Sequence, residues 1–473
     1  MRAICLYLHI HQPYRYRQYS IFSTGHDHNY WKDDFNSKQS NERIFLKVAE
    51  KSYHPTFDML ERNLEKYPGF KVSMSVTGTW LEQAEEWDPS LIEQLKRIVA
   101  TGRAEIVAET YYHSLAFFYN REEFEEQVKL HQRRVKDLFG VETRVFRNTE
   151  LSYNDQIGQW ADSFGFKAVL AEGWDKVLGW RSPNHVYQVA GLGGVGDEGV
   201  GGSMEVDGEG IEDGVGVDGE RKTVGVDGDR KMVGVDGAEE VAGVDEGGVA
   251  AERVDGGGAV AEVSRPHQKC RLLLKNYRLS DDIAFRFSNR GWKEWPLTVE
   301  KYQHWLNMDC LRGSLINLFM DFETFGEHQW ADTGIFRFMD HLIYSWLKEY
   351  DNRFVTVSEA ADLEAPVDEI SMPNTVTWAD TERDLSAWMG NAMQHEALRL
   401  LYDLRPRVYG TGDASLIDDY RKLTTSDHAY YMCTKYWNDG DVHAYFSAYD
   451  SPYDAFMFYM NVVRDIEYRI EQS

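Results

Sequence analysis

Short apolar segments alternate with helical segments in the first part of the chain, and this alternation limits the folds that it can adopt. Buried strands are predicted at residues 2–10, 70–76, 104–108, 143–147 and 167–171. Helical spacing is found at residues 43–66, 90–101, 121–139 and 154–164. Such alternation is typical of parallel strands covered by helices, so the sequence predicts an α/β protein built from βα units.

Residues 193–263 interrupt this pattern with a low-complexity segment of Gly, Val, Asp and Glu. The segment holds 19 acidic and five basic residues and no aromatic residue. Val-Asp recurs every nine residues, a period that also occurs in calcium-binding β-rolls. Each repeat here offers one acid among basic residues, so the composition favours a disordered acidic insertion over a calcium site.

The strand pattern resumes after the insertion and then gives way to helix. Strands are predicted at residues 272–274 and 314–320, and beyond about residue 384 the spacing is mainly helical. We therefore predict one barrel in two parts, residues 1–192 and 264–383. A helical region at 384–473 is predicted to follow it and to contribute to the active-site cleft.

Charge and aromatic content bear on the choice of partner. The formal net charge is −27 and the pI is near 5.0. Nucleic acids and anionic membrane surfaces are bound through clustered Lys and Arg, so neither is an expected partner. Aromatic residues make up 14% of the chain, and aromatic rings stack on the apolar faces of sugars, although an aromatic-rich core explains the composition equally well.

The cysteines and the first residues indicate the compartment. Cys5, Cys270, Cys310 and Cys433 are scattered and form no CxxC pair, which is typical of buried thiols in a reducing compartment. The apolar run at residues 4–8 is too short for a signal peptide or a membrane span. We therefore expect a cytoplasmic protein.

Two acidic motifs follow predicted strands and are the strongest catalytic candidates. VFRNTELSYND places Glu150 after one strand, and INLFMDFETFGEHQW places Asp321 and Glu323 after another. Carboxylates at strand ends of a barrel converge on one face, and a glycosidase needs two of them, one to attack the anomeric carbon and one to protonate the leaving oxygen. Each motif alone could equally be a helix cap or a surface ion pair.

Histidines and further acids accompany these motifs. LHIHQP places His9 and His11 on one face of the first strand, where they could bind a metal, cap the strand or contact a sugar hydroxyl. GRAEIVAETYYHS offers Glu105, Glu109 and His113 after another strand, and either Glu could instead pair with a nearby base. Because no third metal ligand has a convincing spacing, the sequence predicts neither a metal site nor a cofactor.

These motifs together resemble family 57 of the glycoside hydrolases, over nearly the whole chain except the insertion. Five of them occur in order: HQP at 11–13, G-x-x-E-I from Gly102 with His113 downstream, FRNTE ending at Glu150, D-x-E-x-F-G at 321–326, and LSAWMGNAMQ at 385–394. The resemblance implies an incomplete seven-stranded (β/α) barrel followed by a C-terminal helical region. It also implies action on α-glucans with retention of anomeric configuration.

The resemblance further implies roles for individual residues. Glu150 matches the nucleophile and Asp321 the general acid/base, and sugar contacts are implied at the positions matching His11, Glu105, His113, Glu323 and Trp388. Two departures stand out: RNTELSYN replaces the Trp-x-Pro-Glu found in many members, which resembles the α-amylase branch, and Leu385 stands where many members have Asp. The role of the neighbouring Asp384 is left open.

The expected activity is that of an α-amylase cleaving internal α-1,4 bonds of a glucan. The alternatives are a 4-α-glucanotransferase or branching enzyme, an inactive glucan-binding relative, and a metal-dependent deacetylase on a related barrel. For an acid catalyst, Asp321 is expected to have a raised pKa caused by burial and by the charges of Glu150 and Glu323.

Overall fold

The computed structural model describes residues 2–191, 269–435 and 447–473. The predicted insertion at residues 193–263 lies outside the described residues, and so do the domain boundaries placed at its ends. The strands of the described residues are β1 (Arg2–Ile10), β2 (Val72–Val76), β3 (Ala104–Ile106), β4 (Val145–Arg147), β5 (Ala168–Glu172), β6 (Val186–Val189), β7 (Arg271–Lys275), β8 (Leu315–Asp321), β9 (Asn352–Val355) and β10 (Glu369–Ile370).

Helices follow most of these strands and continue after the last one. Those that precede residue 370 are α1 (Asn41–Val48), α2 (His54–Lys66), α3 (Gly78–Trp87), α4 (Pro89–Ala100), α5 (Arg121–Phe139), α6 (Asp155–Phe164), α7 (Asp175–Leu178), α8 (Tyr277–Ala284), α9 (Val299–Asp309), α10 (Ile335–Lys348) and α11 (Val357–Ala360). A π-helical turn, Ala49–Tyr53, joins α1 to α2. The C-terminal helices are α12 (Ser386–Met389), α13 (Ala392–Asp403), α14 (Arg405–Thr411), α15 (Ala414–Leu423), α16 (Ser426–Tyr431) and α17 (Pro452–Gln472).

Seven parallel strands form a curved wall. One sheet has the order β3-β2-β1-β8, and the other contains β4, β5 and β7 side by side. A single parallel bridge between Ala108 and Phe146 joins β3 to β4, and the Asn276 amide donates to the Asn317 carbonyl (2.9 Å) between β7 and β8. The fold class predicted from the sequence is therefore confirmed, and these two sparse junctions are where the barrel is incomplete.

Three strands were not expected. β6 runs antiparallel to β7, β10 pairs with β6, and β9 pairs with the first half of β1. Each is two to four residues long, so its apolar pattern is too short to be distinguished from a loop.

Strand β1 shows how the sequence positions the site. Its even-numbered residues, Ile4 to Ile10, pack in the apolar layer under the helices, while Ala3, Cys5 and Tyr7 face the barrel interior. Each fully buried Leu or Ile stabilises this arrangement by about 1.5–3 kcal/mol. Because side chains alternate along a strand, His9 continues the interior row and emerges at its carboxyl end.

The C-terminal helices pack against the segment that follows β1. Tyr16, Tyr19 and Tyr30 share an apolar core with α13, α15 and α17. The helical C-terminal region predicted from the sequence is confirmed, and α16 is brought beside the end of β1. No helix in the described ranges is both long and apolar enough to cross a lipid bilayer.

Candidate active site

The carboxyl ends of β1, β4 and β8 bring the principal side chains to one rim of the barrel. His9 on β1 is in register with Asp321 on β8. Glu150 follows β4 in a short 3-10 turn, Thr149–Leu151. Because the strands are parallel, residues more than 170 positions apart in the chain meet at this rim.

Glu150 has a different hydrogen-bond partner at each carboxylate oxygen. His113 Nε2 lies 2.9 Å from Oε1, and the Trp378 indole Nε1 donates to Oε2 (3.0 Å). The Ser426 hydroxyl also donates to Oε1 at 3.4 Å. The side chain is 17% exposed, so one approach to the carboxylate stays open while the rest is enclosed.

A chain of alternating carboxylates and imidazoles joins Glu150 to Asp321. His113 Nδ1 lies 3.5 Å from Glu109 Oε2, and the same oxygen lies 3.1 Å from His9 Nε2. His9 Nδ1 is 3.6 Å from Asp321 Oδ1. The site therefore contains both predicted catalytic carboxylates in one connected cluster.

The cluster favours the ionised form of Glu150. Burial alone would raise the pKa of Glu150, but the hydrogen bond and charge of His113, with the charge of Arg147, hold it below its usual range. The pKa of His113 is raised to about 9: burial opposes its charge, but hydrogen bonds to Glu109 and Glu150 outweigh this. At neutral pH, His113 is therefore an imidazolium that donates to the Glu150 carboxylate.

Asp321 does not have the pKa expected from the sequence. Burial raises it, but the hydrogen bond and charge of His9 and the charges of His328 and Arg147 lower the pKa of Asp321 overall. The expectation of a raised pKa is wrong for the substrate-free protein, because the effects of His9, His328 and Arg147, which face Asp321, outweigh its burial. Glu323 is instead the acid of this motif whose pKa is raised, because it is buried and lies near the charge of Asp321.

His11 forms the other side of the site. Its Nε2 lies 2.9 Å from Asp427 Oδ2 on α16, and its Nδ1 lies 3.0 Å from Thr77 Oγ1. Burial and the charge of His113 lower the pKa of His11 to about 4, so its imidazole is neutral at ordinary pH. The rings of His11 and His113 are 4.1 Å apart.

Two residues implied as sugar contacts lie apart from this cluster. Glu105, on β3, accepts hydrogen bonds from the backbone amide (2.9 Å) and the hydroxyl of Ser358 at the start of α11. Trp388 is 2% exposed and packs in an apolar core beside Tyr430. Their sugar contacts stay predictions, whereas His11, His113, Glu323, Glu150 and Asp321 lie around the rim.

Three contributors to the site were not identified from the sequence. Trp378 and Asp427 reach it from loops and helices far along the chain, with no motif around them. Glu109 is the third: the sequence offers it beside Glu105 but implies no role for it. In the structure, Glu109 is fully buried and contacts His9 and His113, whereas Glu105 is only partly buried. The signal for Glu109 in the sequence is its position just after the apolar strand, on the side where the rim lies.

Backbone strain is concentrated here. Within the described residues, the positive-φ residues other than glycine are His113, Glu150, Leu151, Asp380 and Arg383, with φ of 52–58°. Each such residue costs about 1–3 kcal/mol and persists only where surrounding contacts enforce it. All of them belong to the segments that hold Glu150.

Gly326 has a related role in the Asp321 motif. Its φ is 103°, and a Cβ there would lie 1.9 Å from the Lys51 carbonyl oxygen. Only glycine permits this close approach, which fixes the turn after Asp321 and Glu323.

Among the residues that the structure describes, two sets of side chains are close enough to hold a metal ion: His9, Glu109 and His113, and His11, His113 and Asp427. The ligand atoms of each set lie within 4.8 Å of one another. The folded chain thus supplies the third ligand that the sequence did not reveal. In each set, however, these groups already contact one another at 2.9–3.5 Å, the distances of imidazole–carboxylate hydrogen bonds and ion pairs. The absence of a metal requirement stays a prediction.

A parallel barrel with two acids converging on its carboxyl-terminal rim supplies the two carboxyl groups that glycoside hydrolysis requires. The sequence model of glycosyl hydrolase family 57 matches residues 5–193 and 231–373. The chain belongs to this family and is a glycoside hydrolase.

Similar proteins agree with this assignment. A Methanocaldococcus jannaschii protein provisionally named an alpha-amylase is 35% identical over 98% of this chain and 84% of its own length. Among solved structures, a family 57 branching enzyme from Pyrococcus horikoshii has a TM-score of 0.58 at 12% identity, over 91% of this chain and 85% of that one. The alpha-amylase AmyC of Thermotoga maritima has a TM-score of 0.56 at 11% identity, over 100% and 94%. The two structures support the fold alone.

Proposed function

We propose that this protein is a retaining α-glucan hydrolase of the α-amylase type that cleaves internal α-1,4-glucosidic bonds, with Glu150 as nucleophile and Asp321 as general acid/base. The observation that carries the proposal is the state of Glu150. It is a strained, partly exposed carboxylate, held ionised by His113 and oriented by Trp378. The name of the Methanocaldococcus relative favours amylase over the other activities of α-glucan enzymes.

The first chemical step uses the two carboxyl groups in opposite forms. The Glu150 carboxylate attacks the anomeric carbon, the glycosidic bond breaks, and Asp321 gives its proton to the leaving oxygen. In the second step, Asp321 removes a proton from water, which attacks the anomeric carbon and releases Glu150 as a carboxylate. The two displacements retain the anomeric configuration.

Asp321 must gain a proton when the substrate binds. Its side chain is 36% exposed in the free protein, and a sugar ring covering that face would remove water from the carboxylate. Desolvation favours the neutral form and raises the pKa. Glu323 lies two residues after Asp321 and has a raised pKa, so it can hold a proton until substrate binding raises the pKa of Asp321.

The proposed sugar contacts follow from unused hydrogen-bond capacity. Among the described residues, Glu323 Oε1 is buried without a partner, so a sugar hydroxyl would satisfy it. Both ring nitrogens of His11 already have partners, Asp427 and Thr77, so a sugar hydroxyl at His11 would have to replace one of them. The transferase alternative differs only in whether water or a sugar hydroxyl attacks the intermediate at the second step.

The product profile on soluble amylose and on maltooligosaccharides tests this function. We expect internal cleavage, with new reducing ends appearing from the start, and no net formation of longer chains or branches. Longer or branched products would instead establish transfer. Glu150→Gln and Asp321→Asn should each lose about a hundredfold or more in kcat, while Glu142→Gln, at an exposed surface ion pair, should keep wild-type activity.

Dialysis against EDTA separates hydrolysis from the deacetylase alternative. Amylose cleavage should survive the chelator. Loss of activity that is restored by a divalent cation, or acetate release from an acetylated sugar, would contradict the proposed chemistry.

A further inference from the structure

Trp378 holds Glu150 at two points. Its indole N–H donates to Oε2 (3.0 Å), and its backbone N–H donates to the Glu150 carbonyl oxygen (3.4 Å). Glu150 has φ 58° and ψ 28°, a left-handed backbone conformation that residues other than glycine adopt only under constraint. The same tryptophan therefore restrains both the backbone and the carboxylate of Glu150.

The indole ring in turn contacts two cations. The Arg147 guanidinium lies 4.8 Å and the Lys275 ammonium 5.3 Å from the ring centre. A buried or half-buried cation over an aromatic face contributes about 0.5–2 kcal/mol. Rotation of the ring away from Glu150 would lose these contacts.

The loop that carries Trp378 is closed on itself. The Thr377 amide donates to the Arg383 carbonyl (2.9 Å), and the Thr377 hydroxyl donates to the Asp384 carbonyl (2.9 Å). Asp380 and Arg383 both have φ of 55°. This strained loop needs an attachment to the barrel to keep its shape.

That attachment is a set of four charged side chains, Glu172, Lys275, Asp281 and Arg383, which we name the anchor cluster. Arg383 Nη1 lies 2.5 Å from Glu172 Oε2, and Arg383 Nη2 lies 3.6 Å from Asp281 Oδ2. The Lys275 ammonium lies 3.0 Å from the other carboxylate oxygen of Asp281. Arg383 also donates to the Trp378 carbonyl at 3.3 Å. Glu172 and Lys275 are the last residues of β5 and β7, so the loop is tied to two barrel strands.

We propose that Trp378 is a positioning residue for the nucleophile, and that the anchor cluster acts through Trp378 to set the orientation of the Glu150 carboxylate. The inference rests on the proposed role of Glu150. It assigns to the buried charges of the anchor cluster a specific effect on the glycosylation step.

Trp378→Phe tests the first half, because it removes the N–H donor and keeps an aromatic ring. With an activated aryl α-maltooligoside, we expect kcat to fall about tenfold to a hundredfold with little change in KM. The lost bond stabilised the Glu150 carboxylate, so the acidic limb of the kcat/KM profile should move to higher pH.

Trp346→Phe is the matched control, since the buried Trp346 indole donates to the Arg353 carbonyl (3.0 Å) away from the site. An unchanged kcat and acidic limb in Trp378→Phe, or the same shift in Trp346→Phe, would overturn the proposal.

A double-mutant cycle of Trp378→Phe and Arg383→Met tests the second half, and the single variant Arg383→Met serves also if Trp378→Phe folds poorly. Arg383→Met should lower kcat and move the acidic limb in the same direction. In the double variant, the Arg383 change should add less than about a threefold loss to that of Trp378→Phe, because both act on one carboxylate. Additive losses would show that Arg383 acts by another route, and a wild-type profile in Arg383→Met would exclude the anchor cluster.

Glu150→Ala separates failure of this inference from failure of the proposed function. If Glu150→Ala is inactive while Trp378→Phe is normal, only the positioning inference fails. If Glu150→Ala keeps wild-type turnover, the proposed function fails.

Discussion

At the scale of single residues, Glu150 combines three unfavourable features: partial burial, a negative charge and a left-handed backbone. The backbone alone costs about 1–2 kcal/mol. Hydrogen bonds to a charged group contribute about 1.5–3 kcal/mol each, so the bonds from His113 and Trp378 are sufficient to offset the cost of the backbone conformation. The carboxylate is thereby fixed in direction without being neutralised.

His113→Gln should separate charge from hydrogen bonding at Glu150. Glu150 is active when ionised, so activity falls as the pH drops through its lowered pKa. Loss of the imidazolium raises that pKa, so the acidic limb of kcat/KM should move to higher pH. His54→Gln is the control, because His54 makes a similar contact with Asp88 (2.7 Å) outside the site. An acidic limb that stays in place in His113→Gln would show that His113 does not control the ionisation of Glu150.

The sequence indicates the site residues that directly follow strands, but it does not indicate those that only tertiary packing brings to the site. Glu150, Asp321 and His11 follow apolar strands that indicate the rim directly. Trp378 is 228 positions from Glu150, and Asp427 is 416 positions from His11, so their contacts depend on the packing of whole elements. The pKa of Asp321 was wrongly predicted for the same reason, since His9 and His328 were not known to face it.

At the scale of secondary structure, α16 connects the helical region to the barrel rim. Its first residues, Ser426 and Asp427, contact Glu150 and His11. His428, the next residue, has its Nε2 2.8 Å from the Tyr14 carbonyl in the segment after β1. These contacts hold one edge of the site on a helix of the C-terminal region, which the sequence predicted to contribute to the cleft without indicating which of its residues would do so.

Asp427→Asn should weaken substrate binding through His11. The charged partner that orients the His11 ring is lost, so we expect KM to rise and kcat/KM to fall about tenfold, with a smaller change in kcat. Steady-state kinetics on maltooligosaccharides measure this effect. Asp403→Asn on α13 is the control, because Asp403 is exposed and pairs with Arg399 across one helical turn. An equal effect of both substitutions on KM would remove Asp427 from the site.

At the scale of the whole molecule, the barrel was predictable because most of its strands carry strong apolar patterns. Its closure was not, because it depends on single contacts such as Ala108–Phe146 and Asn276–Asn317. The short strands β6, β9 and β10 are likewise defined by their neighbours. The order of elements is thus encoded locally, whereas the junctions are determined by tertiary packing.

Replacing residues 195–262 with a short Gly-Ser linker should leave the melting temperature and turnover nearly unchanged. The Gly191 amide and the Lys269 ammonium both bond to the Glu369 carboxylate, at 2.9 and 2.7 Å, so the two flanks of the replaced segment lie close together. Thermal melts and kinetics compare the two proteins. A large loss of either property, or calcium-dependent protection of the segment from protease, would contradict the prediction.

The assignment of nucleophile and acid/base is tested most directly by the stereochemistry of azide rescue. In Glu150→Ala, azide can enter the vacated space and attack an activated aryl α-maltooligoside once, so the glycosyl azide should have inverted configuration. In Asp321→Ala, the same substrate still glycosylates Glu150, and azide then attacks the intermediate, which gives retained configuration. Reversed configurations would exchange the two roles, and near-wild-type activity in both variants without azide would place the catalytic pair elsewhere.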